Sequence, residues 1–194
     1  MPELRHLRPQ LDHRMAFFQG FLRRPGQVAS IIPSSRFLER RIVRFAEVQR
    51  ARLIVELGPG TGGTTRALLR AMAPDARLVS IEINPDFIPL LARIGDPRLI
   101  VAEGNATQLV ELLHKHGLAA PDLVLSGIPF STMPRAVGLQ ILIAAQEALA
   151  PGGRFVAYQV RDRVGTLGRQ VFGRGRVQTE LLNVPPMRVY RWDV

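Results

Sequence analysis

The chain has 194 residues, 46% of them apolar, and a formal net charge of +10, enough for one α/β domain with a real core plus an extension. No apolar run reaches the roughly 18 residues a membrane span needs, since even 139–150 carries Gln140, Gln146 and Glu147. Zero cysteine excludes disulfides and thiolate metal sites, and a start without the basic, apolar, small-residue order of a leader leads us to expect a cytoplasmic protein.

The charge is unevenly distributed. Residues 1–50 hold ten arginines against four acids, a balance of +6, and residues 154–194 hold eight against three, a balance of +5. Between them, eight bases and nine acids give −1, and Lys115 is the one lysine in the chain. The basic character thus belongs to two flanks of a nearly neutral middle. Arginine's planar fork suits phosphate, so the flanks are expected to meet an anionic partner, a lipid surface or a nucleic acid.

Between Pro9 and Pro25-Gly26, Leu11, Met15, Phe18 and Leu22 recur at helical spacing, with Phe17 and Phe21 widening the stripe. Two readings stand for this amphipathic helix. One packs it on the core; the other lays Phe17, Phe18, Phe21 and Leu22 into the acyl boundary of a membrane with Arg23 and Arg24 on the headgroups. Ser34 or Ser35 then caps a second helix carrying Phe37, Leu38, Ile42 and Phe45, and that N-terminus is a candidate to face a ligand. From residue 51, apolar strands at 53–57, 78–83, 99–102, 122–126 and 154–160 alternate with helices at 63–72, 85–93, 107–116 and 134–149. Such alternation predicts a parallel sheet covered on both faces. Segments 177–184 and 187–193 look like a hairpin joined through Pro185-Pro186. We therefore expect an N-terminal extension over 1–50 and a core over 51–194.

The core is organised around Leu53 to Thr65, where a strand breaks into Gly58-Pro-Gly60-Thr61-Gly62-Gly63 and a helix follows. Gly58, Gly60 and Gly63 satisfy the GxGxxG spacing of dinucleotide folds, which leaves NAD open. Glu56, two residues before the first glycine, would repel a pyrophosphate and suits a cation such as the ammonium and sulfonium of S-adenosylmethionine. Glu82, at the end of the second strand, can accept both hydroxyls of a ribose, and the Asn105 oxygen can accept from an adenine amino group.

Glu56 to Gly63, Glu82, Gly104-Asn105-Ala106 and the turn after strand four resemble a class I S-adenosylmethionine-dependent methyltransferase over 51–194. The resemblance implies a Rossmann-like seven-stranded sheet with its last strand antiparallel. It implies S-adenosyl-L-methionine as cofactor and S-adenosyl-L-homocysteine as product. The cofactor site would then comprise Ser34, Ser35, Glu56, Gly58, Gly60, Thr61 and Gly62, with Glu82, Ile83, Asn105, Ala106 and Ser126. Asn105 departs from the usual Asp. Within that family, Val28 to Ser35, Ser126-Gly127-Ile128-Pro129-Phe130 and Pro151 to Gln159 resemble small soluble bacterial phospholipid N-methyltransferases, themselves similar to ribosomal RNA adenine dimethylases.

The acceptor depends on Ser126 to Phe130. Enzymes that methylate base amines commonly place Asn or Asp where Ser126 stands, because that oxygen localises a lone pair otherwise delocalised into the ring. An aliphatic amine needs only deprotonation and alignment. Ser126 and the Gly127 carbonyl would align it, Phe130 would face the methylated cation through its ring, and Tyr158 would orient the amine or phosphate. The expected activity is methylation of phosphatidylethanolamine toward phosphatidylcholine by a monomer on the inner face of the plasma membrane, without metal or nucleic acid. The alternative is adenine N6-methylation of RNA.

Overall fold

The computed structural model describes residues 35–194; the expectations for Phe17, Phe18, Phe21, Leu22, Arg23, Arg24 and Ser34 lie outside them. Helix α1 (Arg36–Phe45) precedes β1 (Leu53–Leu57), α2 (Gly63–Ala71), β2 (Arg77–Glu82), α3 (Ile88–Ala92), β3 (Leu99–Glu103) and α4 (Leu109–Lys115). Then come β4 (Leu123–Ser126), α5 (Arg135–Ala148), β5 (Arg154–Gln159), α6 (Arg163–Phe172), β6 (Arg176–Glu180) and β7 (Met187–Asp193). The seven strands lie in the order β3-β2-β1-β4-β5-β7-β6. All neighbours pair in parallel except β7, which runs antiparallel to β5 and β6. The expected sheet, including its antiparallel last strand, is the observed one.

Strand alternation divides the core in two, since successive side chains point to opposite faces. Val55, Leu57, Val79, Val124, Phe155 and Trp192 pack with α4, α5 and α6. Ile54, Leu78, Leu123, Leu125, Val156 and Val189 pack with α1 and α2 on the other face. Strand order reverses between β1 and β4, which opens a crevice at the carboxyl ends of the strands, where ligands bind in such sheets.

Two features differ from the sequence reading. Helix α6 is an addition, built on Val164 and Leu167, both buried. Its Gly165 and Gly168 let it lie directly on the Tyr190 and Trp192 rings of β7. Secondly, α1 is part of the core: Leu38 and Ile42 are buried in the same cluster as Ile54 and Val189. Arg154 Nε donates to the Ala46 carbonyl at 2.6 Å and Arg191 Nη1 to the Phe45 carbonyl at 2.7 Å, closing the carbonyl end of α1 with charged donors. The folded body therefore includes residues on both sides of the expected boundary at 50.

Candidate active site

The loop after β1 takes the left-handed backbone at Gly58, Gly60 and Gly62, with φ of 69°, 56° and 82°, a region open to glycine and costly for other residues. Gly58 is also required sterically: a Cβ there would lie 2.9 Å from Ile128 Cγ1 in the turn after β4. That turn needs a glycine too, since a Cβ at Gly127 would lie 2.6 Å from the Tyr158 hydroxyl and 3.0 Å from the Gly58 carbonyl oxygen. Three segments distant in sequence thus converge on one corner of the crevice.

Two carboxylates underlie the loop. Glu56 is 1% exposed; its Oε2 accepts from Thr65 Oγ1 at 2.6 Å and Ser80 Oγ at 2.8 Å, and its Oε1 has no partner. Burial pushes this carboxyl up to about 7, against the pull of those two hydroxyls. A buried acceptor left unmatched is costly, and a cationic donor beside it would satisfy that oxygen and favour the ionised form. Glu82 accepts from Gly60 N at 3.0 Å and Asn84 N at 2.9 Å, one on each oxygen. Burial raises its pKa as well. The Ile83 backbone donates to this carboxylate as well, so a ribose hydroxyl would share its oxygens with main-chain N–H groups, and the Gly60 contact ties the loop to the same side chain.

Asn105 is 8% exposed at the turn after β3, where its Oδ1 accepts from Thr107 N at 3.0 Å. That contact is an Asx cap on the helical turn that follows. An adenine amino group would therefore share this oxygen with Thr107. Ala106 beside it is buried, Ile83 next to Glu82 is half-buried, and Thr61 is exposed at the loop crest.

At the acceptor corner, Ser126 is fully buried and its Oγ accepts from Ile128 N at 3.3 Å. The hydroxyl shapes the turn. Tyr158 OH lies 3.1 Å from Thr64 Oγ1 of α2, bridging the first helix of the loop to the end of β5. Phe130 is fully buried with Met133 and Val137; its ring presents no open face to a cation in this arrangement and anchors the turn from below. Ser35 is likewise held elsewhere: its side chain caps α1 through Leu38 N, and its own N–H donates to Asn183 Oδ1 at 3.1 Å.

One residue of this corner ends the Pro151 to Gln159 motif but carries no site role in the sequence reading. Gln159, 6% exposed, donates from Nε2 to the Ile128 carbonyl at 2.5 Å, and its Oε1 is buried without a partner. Its signal was faint, a lone polar residue closing a buried strand. The described residues contain no group of acids and histidines suited to a metal, and none of their helices is long and apolar enough to cross a membrane.

This arrangement suits a cationic adenosyl ligand: an unmatched Glu56 oxygen, two ribose acceptors on Glu82 and a glycine loop open to close approach. Comparisons with known proteins agree. The chain is 33% identical over 141 residues to an ornithine lipid N-methyltransferase of Singulisphaera acidiphila, covering 72% of this chain and 73% of that protein. It is 40% identical over 107 residues to ribosomal RNA small subunit methyltransferase A of Caulobacter vibrioides, spanning 54% of this chain and 37% of that enzyme. Among solved structures, the O-methyltransferase TomG of Streptomyces achromogenes in complex with its cofactor superposes with a TM-score of 0.67 at 18% identity, over 91% of this chain and 89% of that one. The N-methyltransferase NodS of Bradyrhizobium japonicum does so with 0.65 at 15% identity, over 90% and 97%. No protein-family model matches the sequence.

Proposed function

Because the chain belongs to the class I S-adenosylmethionine-dependent methyltransferases, we propose that it methylates the primary amine of a membrane lipid, with phosphatidylethanolamine as the acceptor and phosphatidylcholine as the end of a successive series. S-adenosylmethionine is the cofactor, and it supplies a methyl group activated by the sulfonium. The observation that carries the acceptor reading is Ser126, whose hydroxyl is turned back onto Ile128 N. The turn thus offers a planar base amine no Asn or Asp oxygen with which to localise its lone pair. An aliphatic amine has that lone pair already and needs alignment alone.

In this reading Glu56 and Glu82 hold the two ends of the cofactor, and the Gly127 carbonyl accepts one N–H of the neutral amine. The bound cofactor would supply an electrophilic methyl group, toward which that contact would aim the amine lone pair, and the extra proton of the methylated amine would pass to solvent. Tyr158, fixed by Thr64, orients the acceptor. Phe17, Phe18, Phe21 and Leu22, with Arg23 and Arg24, are proposed to lie in the interface on the inner face of the membrane. Ser126 also distinguishes this reading from adenine methylation of RNA.

The test is transfer of labelled methyl to mixed vesicles or to ribosomal RNA. Mono-, di- and trimethylated lipid is the expected product. Label in RNA with none in lipid would overturn the proposal.

A further inference from the structure

The segment from the last residue of β6 into its connection with β7 reverses the ordinary hydrophobic order. Its polar members are inside: Glu180 is 5% exposed and Asn183 1%, whereas Leu181 is 71% exposed, Leu182 64% and Val184 86%. Scattered surface leucines require no explanation, but buried polar groups beside a contiguous exposed aliphatic cluster do. Nor is the segment loosely held. Glu180 accepts from Leu182 N at 2.9 Å and from Arg41 Nε at 2.8 Å, while Asn183 takes the Ser35 N–H and donates to the Pro185 carbonyl at 2.9 Å. The buried polar side chains hold the aliphatic ones outward.

The topology places this tip at the active end of the sheet. Because β7 is antiparallel to both its neighbours, β6 ends at the same edge as β5. Register sets Gln159 opposite Arg188, and Met187 opposite Glu180. Gln159 in turn holds the Ile128 carbonyl of the acceptor turn. Two strand spacings, about 10 Å, therefore separate the end of β5 beneath the acceptor turn from the root of the tip. Val160, 43% exposed, continues the apolar surface past β5. Arg36, Arg161 and Arg188, all exposed, stand at the same end.

Resting on the lipid reading above, we propose that Leu181, Leu182 and Val184 form a membrane-docking tip. It inserts among the acyl chains of an anionic phospholipid bilayer, while the neighbouring arginines meet the headgroups and the acceptor turn faces the interface. Aliphatic side chains ringed by arginine match a bilayer, which has an apolar interior beneath an anionic surface. A nucleic acid would call for the arginines, and for aromatic stacking platforms in place of leucine and valine. The tip is distant in sequence from the stripe at Phe17, Phe18 and Phe21.

The experiment uses the full chain with Leu181→Ser, Leu182→Ser and Val184→Ser combined, and vesicles of phosphatidylglycerol and phosphatidylethanolamine. Vesicle affinity and methylation of vesicle lipid are expected to fall together by about 10-fold or more. Cofactor affinity, and turnover of a short-chain amino lipid kept below its micellar concentration, stay unchanged. A second variant, Leu182→Trp, reports insertion directly through a blue shift and quenching by brominated lipid. Unchanged vesicle binding by the triple variant, with no quenching in the second, overturns the proposal, as does a wild-type chain that ignores vesicles or self-association that alone responds to the substitutions. Should the wild type bind vesicles through the tip and methylate no lipid, the acceptor reading fails while the docking tip stands.

Discussion

Burial pushes the Glu56 carboxyl up to about 7 although Thr65 and Ser80 both donate to it, and this sets a measurable pH dependence. Below about pH 4.5 the group is protonated in folded and unfolded chains alike; between about 4.5 and 7 the unfolded chain ionises first. Stability from this residue is therefore full at low pH and lost as pH rises through that window, by about 3 kcal/mol in all. Glu56→Gln removes the titration: urea unfolding at pH 5 and pH 8 should show the variant gaining on the wild type by about that amount. Yet the same variant should bind S-adenosylmethionine more weakly at pH 8, because it cannot offer an anion to the ammonium. A constant stability difference between the two pH values would refute the assignment of the titration to Glu56. Glu56 was legible because it stands two residues before the glycine loop, and Glu82 because it ends the next strand. That Ser126 turns its hydroxyl onto Ile128 N, or that Gln159 grips the Ile128 carbonyl, was not. The first is a local turn bond that a serine can make or leave, and the second crosses neighbouring strands, so neither follows from the sequence pattern alone.

Helix α6 shows how an element can be hidden by the residues that make it fit. Val164, Leu167 and Val171 repeat at helical spacing, but Gly165 and Gly168 interrupt the stripe and lower helix propensity. Their reason lies in β7: a Cβ at Gly165 would lie 2.7 Å from Tyr190 Cε1, and one at Gly168 would press into the Trp192 ring. Trp192 cannot easily retreat, since it packs against Phe155, Phe172 and Tyr190 with centroids 5.8 to 5.9 Å away. Gly168→Ala should therefore destabilise the protein by about 1 to 2 kcal/mol, overpacking exceeding the gain in propensity. Chemical denaturation measures this, and a stabilised variant would show that the helix can lift off β7. The five parallel strands, by contrast, were legible almost to the residue, because buried apolar runs bounded by glycine and proline have few other uses. Boundaries slipped where Asn84 and Asn105 cap short 3-10 turns ahead of α3 and α4, which periodicity reads as the helices themselves.

At the scale of the whole molecule, the uneven charge was read correctly as a feature of the flanks and incompletely as a surface. Arg154 and Arg191 are 7% exposed and donate to the carbonyls that end α1, so part of the C-terminal positive charge fastens the N-terminal helix to the sheet. The same contacts argue against a division at residue 50. Leu38, Ile42 and Val48 are at most 1% exposed within the cluster of Ile54, Leu68 and Val189. Each such side chain contributes about 2 kcal/mol of burial, against a net stability of about 5 to 15 kcal/mol for a domain this size. Removing residues 1–50 would delete these side chains, uncover an apolar sheet face, and strand two buried guanidinium groups without their carbonyl partners. A chain of residues 51–194 should accordingly lack a cooperative unfolding transition and bind no S-adenosylmethionine. Circular dichroism and calorimetry decide the matter: a two-state transition with the cofactor affinity of the full chain would show that the boundary at 50 holds and that α1 only rests on the core.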